Sequence, residues 1–296
     1  MKLSSLHILL TYQCTFECDH CFVWGSPWQT GTLSLDQVEN ILHQAGQAGV
    51  EWIYYEGGEP FLFYSVLLRA VELAKDMGFH VGVVTNGYWA TSVKDALEYL
   101  KPLKMIDDLS VSSDLYHYNE EMSRQAANVV DAAGTLRIPV GTIMVGQPEE
   151  SSNKSHGQLE GGSPVSVMYR GRAAVKLIHR VSKHSWRSFV DCPHEDLDQP
   201  DRIHLDPLGN LHICQGIVIG NIFDCSLEQI LASYDIRSHP ICRLLKQGGP
   251  AALVTEYKLP HKSRYADACH LCYEARMALR PRFPEILKPG QVYGEL

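Results

Sequence analysis

The sequence has no apolar run approaching the length of a membrane span, which argues against a helical transmembrane segment. Residues 3–12 are apolar, but they carry His7 and two serines and lack a small-residue cleavage site. They read as a buried first strand and not as a secretory signal. There is no strong excess of one charge either: 26 Lys and Arg against 34 Asp and Glu leave −8. That balance is poor material for non-specific binding to nucleic acid or to an anionic membrane. No clustered Lys/Arg run marks an enzyme that modifies RNA. A disulfide framework is also missing. The nine cysteines are an odd number, and seven fall in two groups with metal-type spacing, which fits a reducing, cytoplasmic setting.

What is present is an alternation of two periods. Apolar runs at 6–10, 52–55, 81–84, 109–112, 140–145 and 165–169 read as six strands. Between them lie helical patterns. Ser34 and Gln37 form a capping box ahead of Val38, Ile41, Leu42 and Ala45, and Gly49 follows. Leu67, Ala70, Val71 and Ala74 share a face closed by Gly78, and Val93, Ala96, Leu97 and Leu100 one stopped by Pro102. Met122, Ala126, Val129, Val130 and Ala133 mark a further helix ending at Gly134. Such alternation predicts an α/β fold with a parallel sheet and right-handed crossovers; periodicity alone does not distinguish an open sheet from a barrel. Residues 147–162 are polar and break the rhythm as a long loop, a lid or merely a mobile connection. A boundary near 180 divides the chain into 1–180 and 181–296.

Cys14, Cys18 and Cys21 follow the first strand at a C-x3-C-x2-C spacing. Thiolates this close converge on one metal centre. Structural zinc and closed iron–sulfur clusters take four protein ligands, so three point to a 4Fe–4S cluster with one open iron. A zinc knuckle borrowing a distant fourth ligand, or three chance cysteines, is the alternative.

In this position the motif resembles that of the radical S-adenosylmethionine (SAM) superfamily. The resemblance implies a partial (β/α)6 TIM-like barrel with its chemistry at the C-terminal ends of the strands. It implies that the open iron chelates SAM, and that one electron cleaves SAM to methionine and a 5′-deoxyadenosyl radical. Gly57-Gly58-Glu59-Pro60 is similar to the family's GGEP segment, which holds the SAM amino group. Asn86 ends the third strand, and Ser112 with Arg124 resembles the pair that holds the SAM carboxylate; the planar guanidinium fork suits that task. Asp114, Tyr116 and His117 would face the cavity from the fourth strand as catalytic or substrate-binding candidates, although capping explains them nearly as well. Gly171-Arg172-Ala173 is similar to a GRA segment of members with an extra cluster.

The C-terminal part carries the second group. Residues 203–206 and 211–214 flank Pro207-Leu208-Gly209-Asn210 as a hairpin, and a helix capped by Ser226 with Gln229 follows. Cys192, Cys214, Cys269 and Cys272 make a four-thiolate set that by count fits either zinc or a cluster. The resemblance to SPASM and twitch domains implies an auxiliary 4Fe–4S cluster in a small domain of hairpin plus helices. No cysteine follows Cys272, which matches the shorter twitch arrangement. Cys225 and Cys242 read as small apolar residues, or as ligands of a second, partial cluster.

These features imply a radical SAM enzyme, fed electrons by a flavodoxin- or ferredoxin-type reductant. A fully thiolate-ligated auxiliary cluster suits electron relay, hence a net oxidation such as dehydrogenation of a small sugar-like substrate. Radical maturation or cross-linking of a peptide is the alternative, and a non-catalytic iron–sulfur electron carrier a further one. With Cys14 so near the first residue, the expectation tilts toward a small molecule, or toward a peptide presented by a separate partner.

Overall fold

The computed structural model describes residues 1–118, 123–148, 165–179 and 181–295. In chain order the first part holds β1 (Ser5–Thr11), α1 (Leu35–Gln47), β2 (Trp52–Gly57), α2 (Tyr64–Asp76), β3 (His80–Thr85), α3 (Val93–Leu100), β4 (Asp108–Ser112), the short α4 (Leu115–Tyr118), α5 (Arg124–Leu136) and β5 (Val140–Ile143). Then come α6 (Ala173–Lys176), β6 (His184–Ser185), β7 (Arg202–Leu205), β8 (Asn210–Cys214), β9 (Ile217–Asn221), α7 (Leu227–Ser233), α8 (Cys242–Tyr257), β10 (Arg264–Tyr265) and α9 (Ala268–Leu279).

The main sheet has the order β5-β4-β3-β2-β1-β7-β8-β9. Pairing is parallel from β5 to β7 and antiparallel from β7 to β9. It is an open sheet flanked by helices, a partial (β/α) barrel; β6 and β10 form a separate two-stranded ribbon. The alternation of β1 explains its place. Leu6, Ile8 and Leu10 are buried in one core with Val38, Ile41, Leu42 and Ala45 of α1, each such side chain contributing about 1.5–3 kcal/mol. The capping box is formed: Ser34 Oγ accepts from the Gln37 amide, and Gln37 Oε1 accepts from the Ser34 amide.

Two expectations differ from the structure. The sixth strand at 165–169 is reduced to one parallel bridge, Val165 to Val145. Beyond it the chain leaves the sheet, and the Tyr169 amide donates to Asp267 Oδ2 at 3.2 Å, at the start of α9. The sixth parallel strand is instead β7, on the other edge, against β1. Helix α5 runs through Gly134 and ends at Arg137, whose φ is 58°; a glycine inside a helix costs only about 1 kcal/mol. Met122 and most of the 147–162 loop lie outside the described residues.

The hairpin forms with Asp206 as its hub. Asp206 Oδ1 accepts the Leu208 and Asn210 amides, and its Oδ2 accepts from Tyr12 Oη at 2.9 Å. The cores follow this pairing. Ile203, Leu205, Leu211, Leu227 and Ile230 belong to the core of β1–α5, while a second core joins Leu9, Tyr12 and Val23 to α8 and α9. Helix α8 is broken at Gly248 and Gly249, ahead of Pro250. Gly249 has φ 59°, and a Cβ there would lie 2.3 Å from the Asp191 amide nitrogen. That close approach sets the backbone beside Cys192.

Candidate active site and second thiol cluster

The ends of β1 to β5 surround a cavity of about 290 Å³. Cys14, Cys18 and Cys21 line it, with Gly57, Gly58, Asn86, Ser112 and His117. The two glycines are required by contact: a Cβ on Gly57 would sit 2.3 Å from Thr11 O, and one on Gly58 2.1 Å from Gln13 O. The β2 end therefore lies directly on the backbone leading into the cysteines. The remaining expected site residues stand back from the wall. Pro60 begins a 3₁₀ turn, and Glu59 is buried. Glu59 accepts from Phe61 N, Thr85 Oγ1 and Asn86 N at 2.7–3.0 Å, tying β2 to β3. Burial pushes its carboxyl up to about 7. Asp114 and Tyr116 do not line the cavity, and Asp114 contacts His117, which does. Arg124 is exposed on the first turn of α5, away from the wall.

The cysteine loop is braced from several sides. Phe16 N donates to Cys14 Sγ at 3.4 Å, Gly25 N to Cys21 Sγ at 3.2 Å, and Asn86 Nδ2 to Cys14 Sγ at 3.7 Å. Hydrogen bonds to sulfur of this kind tune a cluster's potential. Arg172 donates from Nη1 to Cys18 O and from Nη2 to Gly25 O, both at 2.8 Å, with its guanidinium 5.2 Å from the Trp24 ring. Gly171 has φ 59°, and a Cβ there would meet Phe22 Cα at 2.6 Å. The GRA segment is thus the clamp of the loop.

Asp114 Oδ1 contacts His117 Nδ1 at 2.8 Å and accepts the Tyr116 amide. Burial opposes its charge, but the His117 bond, the charges of His117 and His20, and the amide outweigh it and hold it below the usual carboxylate range. His20, between Cys18 and Cys21, packs on Tyr116 with ring centroids 4.7 Å apart. Burial pulls its pKa down to about 4, so it is neutral at pH 7. His20 was not singled out by sequence reasoning; its place inside the C-x2-C spacer was the available signal.

Cys192, Cys214, Cys269 and Cys272 line a second, small cavity of about 20 Å³ with Arg170 and Arg276. Arg170 lines both cavities. Its Nη1 donates to Glu195 Oε1 at 2.9 Å and to Cys214 Sγ at 3.7 Å. Helix α9 presents Cys269 and Cys272 one turn apart behind the cap Asp267, whose carboxylate accepts the His270 amide. Cys242 is buried in the same core as Cys272, and Cys225 is exposed, its Sγ 3.2 Å from Gln229 Oε1.

Each thiol set lines one cavity, and that shared placement is what a metal centre needs. Burial pushes Cys14 and Cys192 up to about 12 and Cys272 up to about 11, and it raises Cys18 and Cys269 as well. Buried thiols of this kind ionise when a cation takes the proton's place. Arg276 adds a second argument. It is 2% exposed, and its hydrogen bonds go to Gln215 O and Cys272 O, neither a carboxylate. A buried guanidinium needs a compensating charge, and an ionised thiolate set beside it supplies one.

The Radical SAM superfamily model matches residues 8–154. These residues form a radical SAM domain. Most residues that line the larger cavity, from Leu9 to Val145, fall inside that match. The putative peptide biosynthesis protein YydG of Bacillus subtilis is 27% identical over 130 residues, 43% of this chain and 41% of that protein. A putative glycyl-radical enzyme activating enzyme, MJ1632 of Methanocaldococcus jannaschii, is 32% identical over 123 residues, 41% of this chain and 44% of that protein. The chain thus spans less than half the length of these two curated relatives. Among solved structures, Streptococcus suis SuiB bound to precursor peptide SuiA superposes with a TM-score of 0.47 and 13% identity, over 90% of this chain and 76% of SuiB. No helix among the described residues is long and apolar enough to cross a membrane.

Proposed function

We propose that the chain is a radical SAM enzyme that modifies a peptide and carries an auxiliary iron–sulfur cluster. The observation that carries this reading is the convergence of Cys14, Cys18 and Cys21 with Gly57 and Gly58 on the wall of one cavity at the strand ends. When bound there, a 4Fe–4S cluster and SAM supply the 5′-deoxyadenosyl radical that abstracts hydrogen from substrate. The protein's part is positional. The three thiolates would hold the cluster, and Arg172 fixes the Cys18 and Gly25 carbonyls on either side of Cys21. Asn86 Nδ2 donates to Cys14 Sγ and Thr15 Oγ1, locking the loop against β3.

The substrate assignment rests on the cavity wall and on one relative. Leu9, Phe16, Phe22, Val84, Ile143, Val145, Val165, Val167 and Met168 line the cavity. Polar groups, among them Glu56, Asn86, Ser112, His117 and Arg170, line it too, but the apolar share of the wall suits a side chain better than the many hydroxyls of a sugar. YydG is described as a peptide biosynthesis protein, which favours a peptide over sugar-like dehydrogenation. Arg170, between the two cavities, would steady negative charge on the auxiliary site, where Cys192, Cys214, Cys269 and Cys272 would close a second cluster. That cluster would relay an electron, and a flavodoxin- or ferredoxin-type protein would deliver the first one. Such chemistry belongs in a reducing cytoplasm.

The test is anaerobic reconstitution with iron and sulfide, followed by dithionite and SAM. We expect about eight irons per chain and formation of 5′-deoxyadenosine, faster with a peptide substrate. Replacing Cys269 and Cys272 by serine should leave about four. Cluster formation without SAM cleavage, where a known family member is active, would leave only the electron-carrier reading. Turnover of sugars but of no peptide would remove the substrate assignment.

A further inference from the structure

His7, Glu56 and His204 stand apart from both thiol sets. Strand register brings them together. His7 on β1 and His204 on β7 are direct partners, and Glu56 lies two residues beyond Tyr54, the partner of His7 on β2. In-register residues of parallel strands, and residues two apart along a strand, point to one face. All three side chains therefore share the face opposite Leu6 and Ile8. Both imidazoles address the same carboxylate oxygen: His7 Nδ1 lies 3.4 Å and His204 Nε2 3.1 Å from Glu56 Oε1. Yet Glu56 Oε1 and His7 Nδ1 are buried without a well-aligned hydrogen bond. The rings are held from behind. His7 stacks on Tyr54 at 4.6 Å between centroids, and Phe22 packs edge-on against His204 at 6.2 Å. Leaving such polar atoms unmatched is costly, and a cation among them would satisfy all three at once.

We propose that His7, Glu56 and His204 bind a first-row divalent cation as a two-histidine, one-carboxylate site. This donor set suits such ions and leaves coordination positions open. Glu56 also lines the large cavity, so the open side borders the space the substrate would occupy. There the cation would take an oxygen donor such as a carbonyl or carboxylate. None of the cysteines takes part, and the inference does not rest on the iron–sulfur reading.

Mn²⁺ is the probe, because imidazole and carboxylate hold it in preference to thiolate. Iron–sulfur-loaded protein would be titrated anaerobically, with free Mn²⁺ followed by its EPR signal. The expected result is one Mn²⁺ taken up per chain, with affinity reduced at least about tenfold in Glu56→Gln and in His204→Ala. Pulsed EPR of the wild type should show histidine nitrogen coupled to the bound ion, a readout independent of how the variants fold. No uptake by the wild type, uptake without nitrogen coupling, or full retention in either variant would overturn the proposal.

Discussion

Arg172 holds the cysteine loop from within, by two charged hydrogen bonds to carbonyls on either side of Cys21. A lysine at this position has one ammonium and no fork, so it can reach Cys18 O or Gly25 O but cannot brace both. Arg172→Lys should therefore lose one buried charged bond and about 1.5–3 kcal/mol of stability. It should also hold iron less firmly, because the loop that carries the thiols loosens. Urea unfolding of the reconstituted protein, with iron counted after gel filtration, checks both. An unchanged midpoint with full iron content would show that the clamp is dispensable. Arg170 has a comparable bridging place. It contacts Cys214 and lines the larger cavity, so it is the side chain common to the two sites.

Among the elements, α8 carries a titratable start. His239 Nδ1 accepts the amides of Ile241 at 3.2 Å and Cys242 at 3.1 Å as the chain enters the helix. An acceptor nitrogen carries no proton, and burial pulls the His239 pKa from 6.5 down to about 4. Between those values the unfolded chain binds a proton that the folded one refuses. Stability from this cap is thus complete above about pH 6.5 and is lost as pH falls toward 4. His239→Asn keeps an acceptor for the helix amides without titrating in this range, so it should flatten the slope by about 1 kcal/mol. Denaturant unfolding of both proteins from pH 7 to pH 4.5 makes the comparison, and parallel curves would count against the cap. The elements themselves differ in how far they could be read. Helices α1, α2 and α3 and strands β1 to β5 were legible because each has one apolar face or a short apolar run with turn residues at its end. The strand-end positions of the cysteines, Gly57, Gly58, Asn86 and Ser112 followed from that alternation. The pairing of β7 with β1 was not legible. It joins residues nearly two hundred positions apart, and nothing local marks it. The placement of His204 beside His7 and Glu56 depends on that pairing and was hidden with it. The exposure of Arg124 was hidden too, because helical spacing fixes a face but not the distance from that face to the strand ends.

At the scale of the whole molecule, the same pairing makes the two halves depend on each other. Without residues after 180, β1 would present an unpaired edge, a template for association with other chains. The first core would lose Ile203, Leu205, Leu211, Leu227, Ile230 and Leu231. At about 1.5–3 kcal/mol for each buried side chain, that loss rivals the roughly 5–15 kcal/mol by which a domain is stable at all. Polar ties would go as well, among them Tyr12 to Asp206 and Trp24 Nε1 to Tyr273 Oη at 3.1 Å. The second tie anchors the cysteine loop to α9, the helix that carries Cys269 and Cys272. A fragment of residues 1–180 should consequently aggregate or stay without a cooperative melt. The full chain should unfold in one transition, seen alike by tryptophan fluorescence and far-UV circular dichroism. A soluble fragment with a sharp melt and dispersed amide resonances would mean that the shared core contributes little, and that the thiol sets fold as separate units.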